Sequence, residues 1–198
     1  MNKISMILSI ISLLIFSSCT YLQQIDKVKV TDLKGDVKFT NKYQPGAKVC
    51  IPAAYTGYDG KIEGQYRING KTYGNKGLRE CTSIHLEKGL IISREWRSGN
   101  GFQQHVLVKN GKVRSFKDKR RFRRRALCCS ASDPGSLFII ESTRKMTMNE
   151  FAAEVARHST NAVNLDMGRW GYGWIGKKKL SPWAVFFKHW QTSWIVCN

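Results

Sequence analysis

Ionisable side chains that could take part in catalysis or binding stand next to short apolar runs at three places in the second half of the chain. Asp166 follows the short apolar run 162–165. Glu141 follows a similar run, 137–140. Two carboxylates at the ends of adjacent strands can act as general acid and as nucleophile or base in glycoside cleavage. Arg124 leads into a third apolar segment, and its guanidinium can donate two parallel hydrogen bonds to a phosphodiester.

Each of these three residues also has a purely structural explanation. Asp166 stands two positions before Gly168, and Asp and Gly after a strand are ordinary turn residues. Glu141 can form an ion pair with Arg144 or with the basic run 117–125. That run has seven cations in nine residues, which is typical of a solvated, salt-responsive loop. The sequence leaves both explanations open at every position.

Aromatic residues follow Asp166 closely. Trp170, Tyr172 and Trp174 alternate along the chain, so their rings fall partly on one face. Flat rings on one face can stack on a sugar, although packing in a core is the commoner use of such a cluster.

The elements that must position these residues are a strand, a helix and a second strand. The continuous apolar run 137–140 is typical of a buried strand. Thr147 and Glu150 have the spacing of a capping box, and apolar residues at helical spacing follow them. This pattern predicts one main helix at about 147–158. The strand after it ends at Asp166, where α/β folds tend to place ligands.

Turn signals divide the rest of the chain into short strands. Asp59-Gly60, Asn69-Gly70 and Asn110-Gly111 favour tight hairpins, and a further glycine turn spans 98–101. One helix among many strands predicts an α+β fold, with a mixed sheet, in a single domain over residues 27–198. Segments 184–187 and 194–196 are predicted to be closing strands.

The first 26 residues have the pattern of a bacterial lipoprotein signal. Lys3 precedes the apolar run 6–16, which is too short for a transmembrane helix, and Cys19 follows. We expect cleavage of residues 1–18, a lipid on Cys19 and a tether over 19–26. An ordinary secretory signal is the alternative, and it predicts export equally.

Charge and cysteine content narrow the classes of partner. The formal net charge is +19, and in an exported protein this favours anionic lipid head groups or phosphate-bearing glycans over nucleic acid. Five cysteines follow Cys19, so at least one thiol stays unpaired without a partner. Cys128 and Cys129 are adjacent on a predicted strand and should point to opposite faces. No spacing indicates a metal, and we expect no cofactor; the oligomeric state is left open.

The helix and the strand after it carry a resemblance to a known family. MTMNEFA at 146–152 and NLDMG at 164–168 resemble the phosphodiester glycosidase family, the bacterial relatives of the lysosomal "uncovering enzyme". That enzyme removes N-acetylglucosamine from a phosphodiester. Weaker similarity in the hairpins and around Arg124 extends the resemblance to roughly residues 47–198.

The resemblance implies a fold and a set of roles. It implies that Arg124 holds phosphate, that Asp166, with Glu141, serves the acid-base chemistry, and that the loop with Gly168, Trp170 and Tyr172 binds the sugar. The chain departs from the family at three places, and one of them is Cys128 in place of a glycine. PAAY at 52–55 replaces NAGFF, and MGR at 167–169 replaces a triple glycine that would let backbone amides approach an anion.

The prediction is therefore an exported, lipid-anchored protein of the cell envelope that acts on a sugar-phosphate linkage. The alternative is a non-catalytic lipoprotein that binds anionic glycan or lipid, and the loss of the NAGFF and triple-glycine elements favours it. A third hypothesis is a structural envelope protein held to anionic membrane by charge. One open cleft with Arg124, Glu141 and Asp166 would favour the enzyme.

Overall fold

The protein is rich in β-structure. A computed structural model describes residues 26–57, 59–77, 79–85, 88–168, 172–180 and 193–198. The described elements are the strands β1 (Val28–Asp32), β2 (Val37–Thr40), β3 (Val49–Pro52), β4 (Tyr66–Ile68), β5 (Lys71–Tyr73), β6 (Glu80–His85), β7 (Gly89–Ser93), β8 (Gly101–Gln104), β9 (Val106–Lys109), β10 (Lys112–Val113), β11 (Arg125–Cys129), β12 (Leu137–Ser142), β13 (Asn161–Asn164), β14 (Gly173–Ile175), β15 (Lys178–Leu180) and β16 (Trp194–Cys197), and the helix α1 (Met148–Val155).

The strands form three antiparallel sheets. The largest has the order β1-β12-β11-β13-β9-β10, and the other two have the orders β15-β14-β3-β16-β2 and β5-β4-β8-β6-β7. The expected mixed sheet is not found among the described strands, because β11 lies between β12 and β13 and pairs antiparallel with both. The two strands joined by α1 therefore run in the same direction without pairing.

The six-stranded sheet is covered on both faces, which explains its continuous apolar strands. Ala126 and Cys128 pack on one side with Phe151 of α1. Leu127 and Cys129 pack on the other side with residues of the two smaller sheets. The prediction that Cys128 and Cys129 point to opposite faces is thus confirmed.

Helix α1 begins as the sequence predicts. The Glu150 backbone amide donates to the Thr147 hydroxyl at 3.2 Å, and the Thr147 amide donates to the Glu150 carboxylate at 2.8 Å. The helix ends at Val155, three residues before the predicted 158. The Ser159 amide and hydroxyl both donate to the Val155 carbonyl, at 3.1 and 3.0 Å, and these bonds close the turn in which the helix ends.

Two of the three predicted Asn-Gly or Asp-Gly hairpins are confirmed, whereas Asp59-Gly60 forms a turn flanked only by the isolated bridge between Thr56 and Ile62. Asn69-Gly70 joins β4 to β5 and Asn110-Gly111 joins β9 to β10, each with positive φ at both residues, as such hairpins require. The turn at 98–101 does not make a hairpin, because β6 lies between β7 and β8. Strand β16 confirms the predicted strand 194–196, whereas the predicted strand 184–187 lies outside the described residues.

In the described part of the chain, no helix has the length and apolar character needed to cross a membrane.

Candidate functional site

A cavity of about 530 Å³ opens beside the end of β13, within the size range of small-molecule sites. Chain segments that flank several strands supply its walls: Tyr55 after β3, His105 between β8 and β9, Arg124 before β11, and Asp166 and Gly168 after β13. Three of the predicted site residues, Arg124, Asp166 and Gly168, therefore line one cavity.

Arg124 is buried in this wall with an unneutralised charge. Its Nε donates to the Met146 carbonyl at 3.2 Å, and its Nη2 donates to the Arg120 carbonyl at 3.0 Å. No described carboxylate lies within ion-pair distance of the guanidinium. Carbonyl oxygens orient the group but leave its positive charge available, and a buried cation without a counter-ion favours an anionic ligand.

The rest of the basic run behaves differently from Arg124. Arg120 is exposed and paired with Asp118 at 2.9 Å, and Arg121 is exposed and paired with Glu150 at 2.9 Å. Asp118 is held by Arg120 so strongly that its pKa is lowered to about 2. The run is thus a solvated loop at its start and a buried segment at its end.

Asp166 carries a carboxylate whose ionisation is disfavoured. Burial raises its pKa, although the backbone amides of Gly168 and Thr56 and the charge of Arg125 oppose that rise. The Gly168 amide donates to Asp166 Oδ1 at 2.8 Å. Asp166 therefore caps the turn, as the structural explanation proposed, and also lines the cavity. A carboxyl with a raised pKa is suited to proton transfer.

Gly168 lies close to this carboxylate for a steric reason. A Cβ at position 168 would be 3.2 Å from Asp166 Oδ1. Any larger residue would press on the oxygen that the Gly168 amide binds, so the glycine protects the turn geometry.

Four residues that the sequence did not single out complete the polar wall. The Asn164 amide donates to the Tyr55 hydroxyl at 2.8 Å, and the Arg79 guanidinium lies 5.2 Å from the centre of the Tyr55 ring. Burial, with the charges of Arg79 and Arg124, lowers the pKa of His105. A neutral His105 can accept or donate a proton in this wall.

The second carboxylate of the cavity is Glu63. It accepts a hydrogen bond from Arg79 Nη2 at 3.2 Å and is half-exposed at the rim. Counted together, five cations (Arg79, Lys117, Arg120, Arg123, Arg124) and three acidic residues (Glu63, Asp118, Asp166) line the cavity. The excess of positive charge persists even with Asp166 ionised.

Glu141 lies elsewhere. It is paired in register with Arg125 across β11 and β12, and it accepts from Arg125 Nη2 at 2.9 Å. Lys178 lies 3.5 Å from its other oxygen. Burial opposes its ionisation, but Arg125 and Lys178 outweigh burial and lower the pKa of Glu141. Glu141 thus has the ion-pair role that the sequence left as its alternative, with a cation of the basic run, and does not line the cavity.

The aromatic residues after Asp166 are not brought into the cavity where they are described. The Tyr172 ring lies 6.1 Å from those of Tyr43 and Trp174, in a cluster on β14 and its surroundings. This corresponds to the packing role. Trp170 and Cys19, predicted for sugar binding and lipidation, lie outside the described residues.

The cysteines of the described chain are all free and buried. None of its His, Cys, Asp and Glu side chains form a group of three or more that could hold a metal ion.

Comparison with known proteins identifies no family for this chain. No family model matches the chain, and no curated protein matches it. A solved structure described as a hypothetical protein from Synechocystis is similar over 88% of this chain and 58% of that chain, with 12% identity and a TM-score of 0.49. The chain therefore spans less than two thirds of that protein, and similarity at this level identifies neither family nor function.

Proposed function

We propose that this protein acts on a sugar-phosphate linkage at the cell envelope, as a phosphodiester-glycosidase-like hydrolase whose site is the cavity beside β13. The observation that carries the proposal is the meeting of Arg124 and Asp166 in one wall. A buried cation without a counter-ion suits phosphate. A buried carboxyl with a raised pKa suits proton transfer.

The roles follow from the reaction. Hydrolysis breaks the bond between the anomeric carbon and the phosphate oxygen, and the phosphate leaves with the bonding electrons as a monoester. Arg124 stabilises that charge. The oxygen of water bonds to the anomeric carbon, and Asp166 in its ionised form accepts the proton that water loses. Raising the pKa of Asp166 makes this carboxylate a stronger base.

Catalytic Glu141 is not part of the proposal, because its carboxylate is held by Arg125 and Lys178 outside the cavity. Glu63 replaces Glu141 as the second carboxylate of the proposed site. It lines the same cavity as Asp166, and its negative charge contributes to the raised pKa of Asp166.

Turnover of a sugar 1-phosphodiester by the purified protein tests the proposal. Arg124→Ala should reduce binding or turnover roughly ten- to hundredfold, the size of a lost charge-assisted hydrogen bond in a buried site. Asp166→Asn should fold and be inactive. The matched control is Lys119→Ala, an exposed cation of the same run outside the cavity, which should change either quantity by less than about fivefold. Equal, small losses at positions 119, 124 and 166 would contradict a defined site.

A non-catalytic envelope protein that binds anionic glycan is the second candidate. Its support is the pairing of the other two carboxylates of the cavity: Glu63 with Arg79 and Asp118 with Arg120. A second catalytic carboxylate would have to leave its partner. Tight binding without turnover in the unmodified protein would establish this candidate over the hydrolase.

Attachment to the membrane through a lipid on Cys19 is part of the same proposal, and it rests on the sequence of residues 1–19. Cys19→Ser should move the protein from the membrane fraction to the soluble fraction at high salt, where attraction of the basic surface to anionic lipid is screened. Membrane association and mature mass that are the same in the variant would exclude lipidation.

A further inference from the structure

A second concave surface continues directly from the cavity. This groove, of about 920 Å³, lies against β8 and β9. Arg79, His105, Phe116 and Lys117 line both the groove and the cavity. The shared residues place the groove directly beside the cavity, and we call the two together the depression.

The groove repeats the charge of the cavity. It adds Lys76, Arg94, Lys109 and Arg114 to the shared cations, against the two carboxylates of Glu80 and Glu95. Glu80 is shared between Lys109 at 2.6 Å and Arg114 at 3.1 Å, so one negative charge faces two positive ones. Arg94 has no ion pair with any described carboxylate. The excess of positive charge therefore continues along the whole depression.

The rim of the groove is fixed by hydrogen bonds. Gln103 of β8 is buried, and its Oε1 accepts from the backbone amides of Gln65 and Gly77, both at 2.9 Å. Gly77 follows Lys76 directly, so the bond fixes the backbone next to that cation. Cations on a held backbone lose less freedom when they bind an anion.

The aromatic rings of the depression contact other side chains, and only Phe122 among them is exposed. Arg79 lies over Tyr55, and Arg120 and Arg124 lie over Phe122. Phe116 makes an edge contact with His105. Single-stranded nucleic acid binds through bases stacked on free aromatic faces as well as through phosphates. A single exposed ring offers little surface for base stacking, so the depression favours a polyanion without bases.

We propose that the cavity and groove together bind a linear glycan with a phosphodiester in every repeat. One linkage lies at Arg124, and the following repeats lie along the groove toward Arg94 and Arg114. This proposal rests on the proposed function, and it replaces a single sugar phosphodiester by a polymer as the substrate class.

The test compares two probes at fixed salt. One is the methyl phosphodiester of N-acetylglucosamine 1-phosphate, and the other is a four-repeat oligomer of N-acetylglucosamine 1-phosphate. Calorimetry should show the oligomer binding about five- to tenfold more tightly, with a steeper loss of affinity on adding salt. The double variant Arg94→Ala/Arg114→Ala should abolish that advantage and leave the affinity for the monomer unchanged. Both side chains are exposed, so the variant should fold.

A control variant separates the groove cations from the general surface charge, and a control probe separates glycan from nucleic acid. Lys42→Ala/Lys71→Ala removes two exposed cations that line neither the cavity nor the groove, and it should keep the oligomer advantage. Monomer binding without any oligomer advantage would overturn the groove and leave the proposed function standing. No binding of either probe would overturn both. A thymidine oligomer with the same number of phosphodiesters that binds as tightly as the glycan would overturn the glycan assignment.

Discussion

Arg124 and Arg125 are consecutive and both buried, yet their guanidinium groups have different kinds of partner. Arg125 faces Glu141, its register partner on β12, and the two form a closed ion pair. Arg124 lines the cavity, and its guanidinium donates to two carbonyl oxygens and to no described carboxylate. The first charge is satisfied within the protein, and the second is not. The ligand site that we propose lies at the charge that has no described carboxylate partner.

The carboxylates of the two regions differ in the same way. Arg125 and Lys178 overcome burial at Glu141 and lower its pKa, whereas burial prevails at Asp166 and raises its pKa. We interpret the Arg125–Glu141 region as structural and the Arg124–Asp166 region as functional. A functional site commonly retains groups that cost stability.

The largest expected effect is the loss of the structural pair. Glu141→Gln leaves the buried Arg125 without a counter-charge, and it should reduce the free energy of unfolding by about 3–5 kcal/mol. Denaturant unfolding measures this loss. The control is Glu95→Gln, which breaks the exposed Lys76–Glu95 pair and should cost less than about 1 kcal/mol. Similar small losses at 95 and 141 would mean that the buried pair has no structural role.

The stability lost in Glu141→Gln should depend on pH, because the pKa of Glu141 is lowered in the folded protein. The pKa of Glu141 in the folded protein lies below its ordinary value of 4.5. Its stabilisation is thus fully present above pH 4.5 and lost as pH falls through the folded pKa. The stability difference between Glu141→Gln and the unmodified protein should narrow on acidification. A difference that stays constant down to pH 2 would contradict the ion-pair account.

Asp166→Asn should change the free energy of unfolding in the opposite direction to Glu141→Gln. The folded pKa of Asp166 lies above its ordinary value of 3.8, so stability is greatest below pH 3.8 and declines as pH rises through the folded pKa. Asparagine does not ionise. The variant should therefore be more stable than the unmodified protein at pH 7, and the two should converge in acid. A variant that is less stable at pH 7 would show that the ionised carboxylate stabilises the turn.

Thr147→Ala lies in neither region and shows how much stability an ordinary helix cap contributes. It removes the hydroxyl that accepts from the Glu150 amide, and it should cost about 1 kcal/mol. The denaturation midpoint measures it. A midpoint equal to that of the unmodified protein would show that the capping box does not stabilise α1.

Local signals in the sequence predict much of the fold. The capping box at Thr147, the hairpin at Asn69 and the buried strand predicted at 137–140 depend on neighbours within a few positions. All are present, and the strand extends two residues further, to Ser142. The order of the strands depends on distant pairing. Nothing near β12 in sequence indicates that β11 separates it from β13.

The same distinction explains the site. Arg124, Asp166 and Gly168 could be selected by spacing and resemblance. Glu141 could not be excluded, because its role depends on a register with Arg125 that no local pattern encodes. Tyr55 and Glu63 lie about a hundred residues before Asp166 in the chain, and only the tertiary structure brings them to the same cavity.

The melting midpoint with and without a sugar 1-phosphodiester tests the comparison most directly. At about 100 times the Kd, the ligand should raise the midpoint of the unmodified protein by about 5–10 °C. Glu141→Gln should melt lower and keep that rise, whereas Arg124→Ala should melt near the unmodified protein and lose most of it. The reverse pattern, with the rise lost at 141 and kept at 124, would contradict the assignment of the two regions.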